Sequence, residues 1–340
     1  MKENKLNTLL DNEEVIDLRL SYSKVSDFDR NGPISLIRKS NVENEGVKHG
    51  SLVDTLLVDK LTEQDSFNKD YLVLNIEKPT AMLGTLCDII LNNRTEIPSK
   101  EEVLQIVNTN SLWGKYKEET KIATFDIPQF WEYLNLKFSS INKIVVTPEQ
   151  YDKAKESVEI LLTHEFTKDL FYNEQENYYQ VEFNLKYKGF TFKGFLDKMT
   201  IDRVNKVVYF QDIKTGESKN DKFMKSFIDY RYYFQGLIYQ MAYETLSKQY
   251  DFEGYTLANF MFIYVGKTEN HPLIWVMTDK WIKAAQNGFK TASGFIYRGL
   301  DELLDEIYYH WKRNKYDFTK KVYEWNGMLE LNDDFIEVNG

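Results

Sequence analysis

From Tyr178 to Phe210 the sequence repeats with a period of two. Val181, Phe183, Leu185 and Tyr187 alternate with Glu182, Asn184 and Lys186. After Lys188-Gly189 the pattern resumes over Phe190 to Thr200. It returns over Val207-Val208-Tyr209-Phe210, beyond a polar turn at Arg203 to Lys206. Successive side chains of a strand point to opposite faces, so this pattern predicts three strands in an antiparallel meander.

The flanking segments change to helical period. Ser21 to Arg38 reads as an N-capped helix ended near Gly32-Pro33. His49 to Val58 reads as a helix opening at Gly50, which would set Asp54 one turn inside it. Pro148 to Leu170 reads as one helix, with Ala154, Val158, Leu161, Leu162 and Phe166 as its apolar stripe. Asp229 to Leu246 is helical on Leu237, Ile238, Met241 and Ala242. Asn259 to Val265 is a fourth strand, and Trp281 to Trp311 a long helical region. Residues 60–145 mix short apolar runs with polar stretches and read as a helical insertion. The expectation is an α/β fold: one domain over 1–340, core elements at 20–58 and 148–265, and a helical C-terminal region at 280–340.

Composition narrows the chemistry. Cys87 is the only cysteine, which excludes an intrachain disulfide and any all-cysteine metal site. His49, His164, His271 and His310 form no HExxH pairing. A reducing, cytoplasmic setting is the natural expectation, with no signal peptide and no apolar run long enough for a membrane helix. The formal charge of −10 argues against an indiscriminate nucleic-acid coat, because that binding rests on phosphate neutralisation. It leaves room for a local basic groove. Carboxylates are the reservoir of chemistry.

The meander places several of them. Glu182 lies in the first strand, Asp197 closes Gly194-Phe195-Leu196-Asp197 in the second, and Asp212-Ile213-Lys214-Thr215 ends the third. Period two puts Asp212 and Lys214 on one face, shared with Val208 and Phe210, and Ile213 on the other. Such a set fits metal-assisted phosphodiester hydrolysis. Mg²⁺ prefers hard oxygen ligands, often one or two carboxylates with substrate phosphate. The bound ion acidifies water, and a nearby lysine can orient that water or stabilise developing negative charge. Asp197 and Asp212 converge only if the register brings them side by side. Acid-x-Lys spacing alone says little, since it also occurs at Glu3/Lys5, Glu119/Lys121 and Glu217/Lys219. Gln235 and Tyr239, one turn apart on the following helix, add an amide and a phenol aimed at one point.

In this order the motifs resemble the PD-(D/E)XK nuclease superfamily, and most of all the RecB-type nuclease domain and the phage RecE and lambda exonuclease group. The residues that carry the resemblance are Glu182, Gly194 to Asp197, Asp212 to Thr215, and Gln235 with Tyr239. Upstream, Leu20-Ser21-Tyr22-Ser23, Gly50 to Asp54 and Pro148-Glu149-Gln150-Tyr151 are similar to that group's serine motif, glycine-led helix and helix start. The resemblance covers about 20–58 and 148–245. It implies a restriction-endonuclease-like core, a central mixed sheet flanked by helices. It also implies a Mg²⁺- or Mn²⁺-dependent exonuclease acting on duplex ends or single strands of DNA, in phage-type recombination or replication beside a single-strand annealing protein. Asp197, Asp212 and the Ile213 carbonyl would be metal ligands, Lys214 would position the attacking water, and Glu182 would be a further carboxylate. Gln235 and Tyr239 would contact DNA or support the site. An endonuclease on the same core, and a DNA-binding or assembly protein without activity, stay open, as does a homo-oligomer.

One position departs from that pattern. Relatives of this type usually carry histidine where Asp54 stands, so Asp54 is either a replacement ligand or a solvated helix residue, and His49 precedes the glycine. Ser21 and Ser23 suit phosphate contact or helix capping. Arg30, Arg38 and Lys39 suit a 5′ phosphate or a solvated face. Lys193, Lys198, Lys219 and Lys222 are expected to line a groove with Lys214, confining salt-dependent contact to one place. His164, Trp113, Trp131 and Trp281 read as packing or surface residues.

Overall fold

The computed structural model describes residues 18–38, 45–79, 81–140, 143–216, 219, 222–266 and 271–329. Lys39, Glu3, Lys5 and Glu217 lie outside the described residues. The chain divides into two compact units, 1–48 with 160–340, and 49–159.

The first unit is built on a seven-stranded mixed sheet among the described residues. Its strands are β1 (Arg19–Leu20), β2 (Glu176–Tyr187), β3 (Phe190–Asp202), β4 (Val207–Gly216), β5 (Thr256–Leu257), β6 (Met261–Gly266) and β7 (Leu273–Val276). β2, β3 and β4 form the antiparallel meander that the alternation predicts. β4 then pairs in parallel with β6, and β6 antiparallel with β7. One edge of β3 is taken by β2 from Phe190 to Ile201, save at Asp197. The other edge is shared: β1 pairs with Thr191 and Phe192, and β4 with Lys198 to Asp202. Lys193 to Asp197 are left between these two partners, a gap in the ladder on that side.

Helices α1 (Tyr22–Asn31), α2 (Phe223–Asp229), α3 (Tyr232–Met241), α4 (Tyr243–Gln249), α5 (Asp279–Asn287) and α6 (Leu300–Arg313) belong to this unit. Their apolar faces share one core with the sheet, including Phe28, Phe192, Phe210, Phe234, Phe262 and Leu304, all buried. Each such side chain contributes about 1.5–3 kcal/mol on leaving water. The Ser21 hydroxyl caps α1 by accepting from Lys24 N at 3.2 Å, and Gly32, at φ 79°, closes it ahead of Pro33. A three-way ion cluster ties the elements together: Asp29 of α1 meets Arg231 at 2.6 Å and Arg298 at 2.9 Å.

The second unit packs its own core from Leu86, Cys87, Ile90, Val103, Val107, Phe125, Phe130, Tyr133 and Leu134. Burial pushes the Cys87 thiol up to about 11, which keeps it an inert packing group.

Several boundaries differ from those read in the sequence. The helix expected to open at Gly50 spans Glu45–Thr62, so Asp54 sits in its third turn. Segment 60–145 is not wholly helical, because Tyr71–Val73 pairs in parallel with Ile144–Val146. The Pro148 helix ends at Thr163, and a short turn at Lys168–Phe171 follows. The 229–246 segment is broken at Arg231, whose φ of 61° ends one helix and starts the next. Trp281 to Trp311 is not one helix. Gly288 turns left-handed at φ 84°, where a Cβ would lie 2.7 Å from the Tyr297 carbonyl, and the hairpin Phe289–Lys290 with Ile296–Tyr297 intervenes before α6. Among the described residues no helix is long and apolar enough to cross a membrane.

Candidate active site

Lys198 opposite Gln211 is the last bridged pair of β3 and β4, so one step further the strands bring Asp197 beside Asp212 as they part. There the Asp197 carboxylate replaces the missing ladder, accepting from Ile213 N at 2.8 Å. Asp212 is 1% exposed. Its Oδ1 accepts from Gln235 Nε2 at 2.6 Å, and the same amide nitrogen lies 3.1 Å from the Tyr239 hydroxyl. Its Oδ2 is 2.5 Å from Lys214 Nζ, an ion pair without hydrogen-bond geometry. Asp197, Asp212, Lys214, Gln235 and Tyr239 thus form one connected group.

The electrostatics follow from burial. Asp212 is pushed up, first by desolvation and then by the neighbouring Asp197 charge, with Lys214 opposing. Burial pulls Lys214 down, but Asp212, Tyr232, Asp197 and Tyr239 together outweigh it and hold the ammonium well above the ordinary lysine range. Burial also raises Tyr239, so its phenol stays protonated. The ring of Tyr232 lies 5.1 Å from Lys214 Nζ, a cation–π contact that steadies the lysine.

Gly194 has a packing reason. Phe183, its register partner, lies over it so closely that a Cβ would be 2.5 Å from the ring. That ring stands edge-on to Tyr239 at 5.3 Å. The glycine therefore lets Phe183 seat the phenol beside Asp212.

Other candidate residues make different contacts. Glu182 faces Phe195 in the register and pairs with Lys193 at 2.8 Å, both half exposed. Ser21 caps α1 and lies 2.8 Å from the Ser23 hydroxyl. Both serines line a cleft of about 450 Å³ with Arg19, Lys193, Phe195 and Tyr239. Asp54 belongs to the second unit. Lys198, expected in a groove, is instead fully buried, with its ammonium on Asn177 Oδ1 at 2.7 Å and on Thr200. Desolvation pulls it down to about 7. Lys219 and Lys222 are exposed.

Two residues escaped the sequence reading. Gln180 sits opposite Asp197 with a left-handed backbone, φ 49°, and its amide reaches Asp197 Oδ1 at 3.4 Å. Nothing in the alternation marks it. Phe195 could have been found, because it stands two residues before Asp197 and so shares its strand face.

A divalent cation can be tested against this donor set. Gln235 Oε1 is buried without a hydrogen-bond partner, and Asp212 Oδ2 meets only the Lys214 ammonium, 2.5 Å away. They are hard atoms beside a second carboxylate, which suits an ion that keeps most of its waters. Among the described residues no group of three or more His, Cys, Asp or Glu side chains forms a fuller cage.

No protein-family model matches the chain. No curated protein matches it in sequence. Among solved structures it is similar to the crystal structure of a "putative exonuclease" from Eubacterium rectale, across 98% of this chain and 97% of that one, at 14% identity and a TM-score of 0.45.

Proposed function

We propose that this chain is a metal-dependent nuclease of the PD-(D/E)XK type that hydrolyses phosphodiester bonds at DNA ends. The observation that carries the reading is the placement of Asp197 and Asp212 side by side where β3 and β4 part, with Lys214 on Asp212. Asp197, Asp212 and the Ile213 carbonyl would hold a Mg²⁺ or Mn²⁺ ion. Such an ion supplies acidification of water and neutralises charge on the scissile phosphate. Lys214 orients the attacking water and offsets charge that develops at phosphorus. Gln235 fixes the Asp212 carboxylate, and Tyr239 fixes Gln235. Hydrolysis is direct, with no covalent enzyme intermediate.

The test is digestion of end-labelled linear DNA and covalently closed circles, with and without Mg²⁺. Loss of linear DNA alone supports the reading. Nicking of closed circles replaces the exonuclease with an endonuclease. A second reading, DNA binding without cleavage, is favoured by the direct contact of Lys214 with the Asp212 oxygen that would meet the ion. Unchanged DNA at every Mg²⁺ and Mn²⁺ concentration, with binding intact, would select it.

A further inference from the structure

The cleft beside Lys193 to Phe195 has a composition that the chemistry above does not use. Phe195 is 44% exposed on its wall, an apolar ring in the middle of a long strand. Lys193 Nζ stands 5.4 Å from that ring's centroid. Arg19, Ser21 and Ser23 also line the space. Tyr239 also borders it, one amide away from Asp212. Asp197 follows Phe195 by two residues, roughly 6.6 Å along a strand.

We propose that this cleft is a subsite for one unpaired nucleotide, with Phe195 as the platform on which its base stacks. The inference rests on the nuclease reading for the identity of the ligand. An aromatic face accepts any base, and neighbouring cations take the attached phosphate. About 450 Å³ lies toward the lower end of small-molecule sites, which run from about 300 to 1,000 Å³, and suits one nucleotide better than a duplex step. A paired base is stacked on its own neighbours and cannot lie on Phe195, so the strand must arrive unpaired or frayed. The phosphodiester beyond the stacked nucleotide then falls toward Asp197. The nucleotide in the cleft is therefore the one removed, and the product is a mononucleotide. The Lys193–Glu182 pair is exposed and worth little, so it opens readily for a phosphate.

The experiment uses the whole chain and single-stranded oligodeoxynucleotides ending in 2-aminopurine, whose fluorescence is quenched by stacking. Binding is followed without Mg²⁺. The expected result is quenching by the native protein, its loss in Phe195→Ala with roughly tenfold or more weaker binding, and its recovery in Phe195→Trp. Equal quenching by Phe195→Ala, or none by the native protein, overturns the proposal. With Mg²⁺, release of mononucleotides supports it, and products of two or more nucleotides overturn it. Quenching without any cleavage would remove the nuclease reading and leave the stacking subsite standing. Cleavage without quenching would do the reverse.

Discussion

A single amide nitrogen, Gln235 Nε2, lies 2.6 Å from the Asp212 carboxylate and 3.1 Å from the Tyr239 hydroxyl. Gln235→Leu leaves Asp212 Oδ1 buried without its donor, at a cost of about 1–3 kcal/mol. That hydrogen bond favours the charged carboxylate, so its loss moves the Asp212 titration upward. Urea unfolding should show the first effect. The acid limb of the pH–rate profile should move to higher pH and show the second.

Asp212 and Lys214 are coupled as a buried pair. Asp212→Asn and Lys214→Met should each cut nuclease activity by about 10²–10³ or more. Each single change leaves the partner buried without its counter-charge, at about 3–5 kcal/mol, and the double variant should recover much of that stability. A double-mutant cycle of urea midpoints measures the recovery. Strictly additive losses would mean that the two side chains do not interact.

Gly194→Ala forces a methyl group against the buried Phe183 ring, 2.5 Å away. The expected cost is about 1–3 kcal/mol. Because that ring seats Tyr239, activity should fall further than the lost folded fraction explains. Activity measured well below the melting transition separates the two effects.

Acid stability should depend on Glu306. Burial raises its carboxyl, but His310, the Lys320 N–H and Arg298 outweigh burial and hold it at about 2. A depressed folded value gives stability that is present above the unfolded value and is lost as pH falls from about 4.5 toward 2. The loss is about 3 kcal/mol as an upper figure. Glu306→Gln should flatten stability over that window.

Lys198 works in the same direction at higher pH. Its folded value of about 7 lies below that of the unfolded chain, so the unfolded state binds more protons between about 7 and 10.4. Stability should therefore rise with pH across that range. Lys198→Met should remove the rise at little cost, since Asn177 Oδ1 keeps the Thr200 hydroxyl at 2.9 Å. A Lys198→Met protein with the same slope would place the effect elsewhere.

What was legible in the sequence is what local periodicity controls. Alternation over Val181 to Tyr187 specifies β2, and the shared face of Asp212 and Lys214 follows from period two. Ser21 and Gly32 mark the ends of α1 by cap chemistry. Tertiary contacts decide the rest. Arg231 breaks a helical run because Asp29, distant in sequence, holds its guanidinium. Lys198 looks like a surface cation until the opposite strand supplies Asn177. The hairpin after Gly288 hides inside a helical pattern because its strands are only two residues long. Gln180 carries no signal, since its role depends on the backbone turning left-handed opposite Asp197.

The ion pair between Asp29 and Arg298 spans 269 residues of chain. At 5–20 residues per second a ribosome needs roughly 13 to 54 s to join its two ends. Through that interval α1 lacks the Arg298 half of its clamp, with Arg231 arriving earlier, and β1 waits for β3 before it can pair. Closing so long a loop is entropically slow. Throughout synthesis, therefore, the Arg19 to Ser23 wall of the cleft waits for roughly 170 further residues before Lys193 to Phe195 can face it.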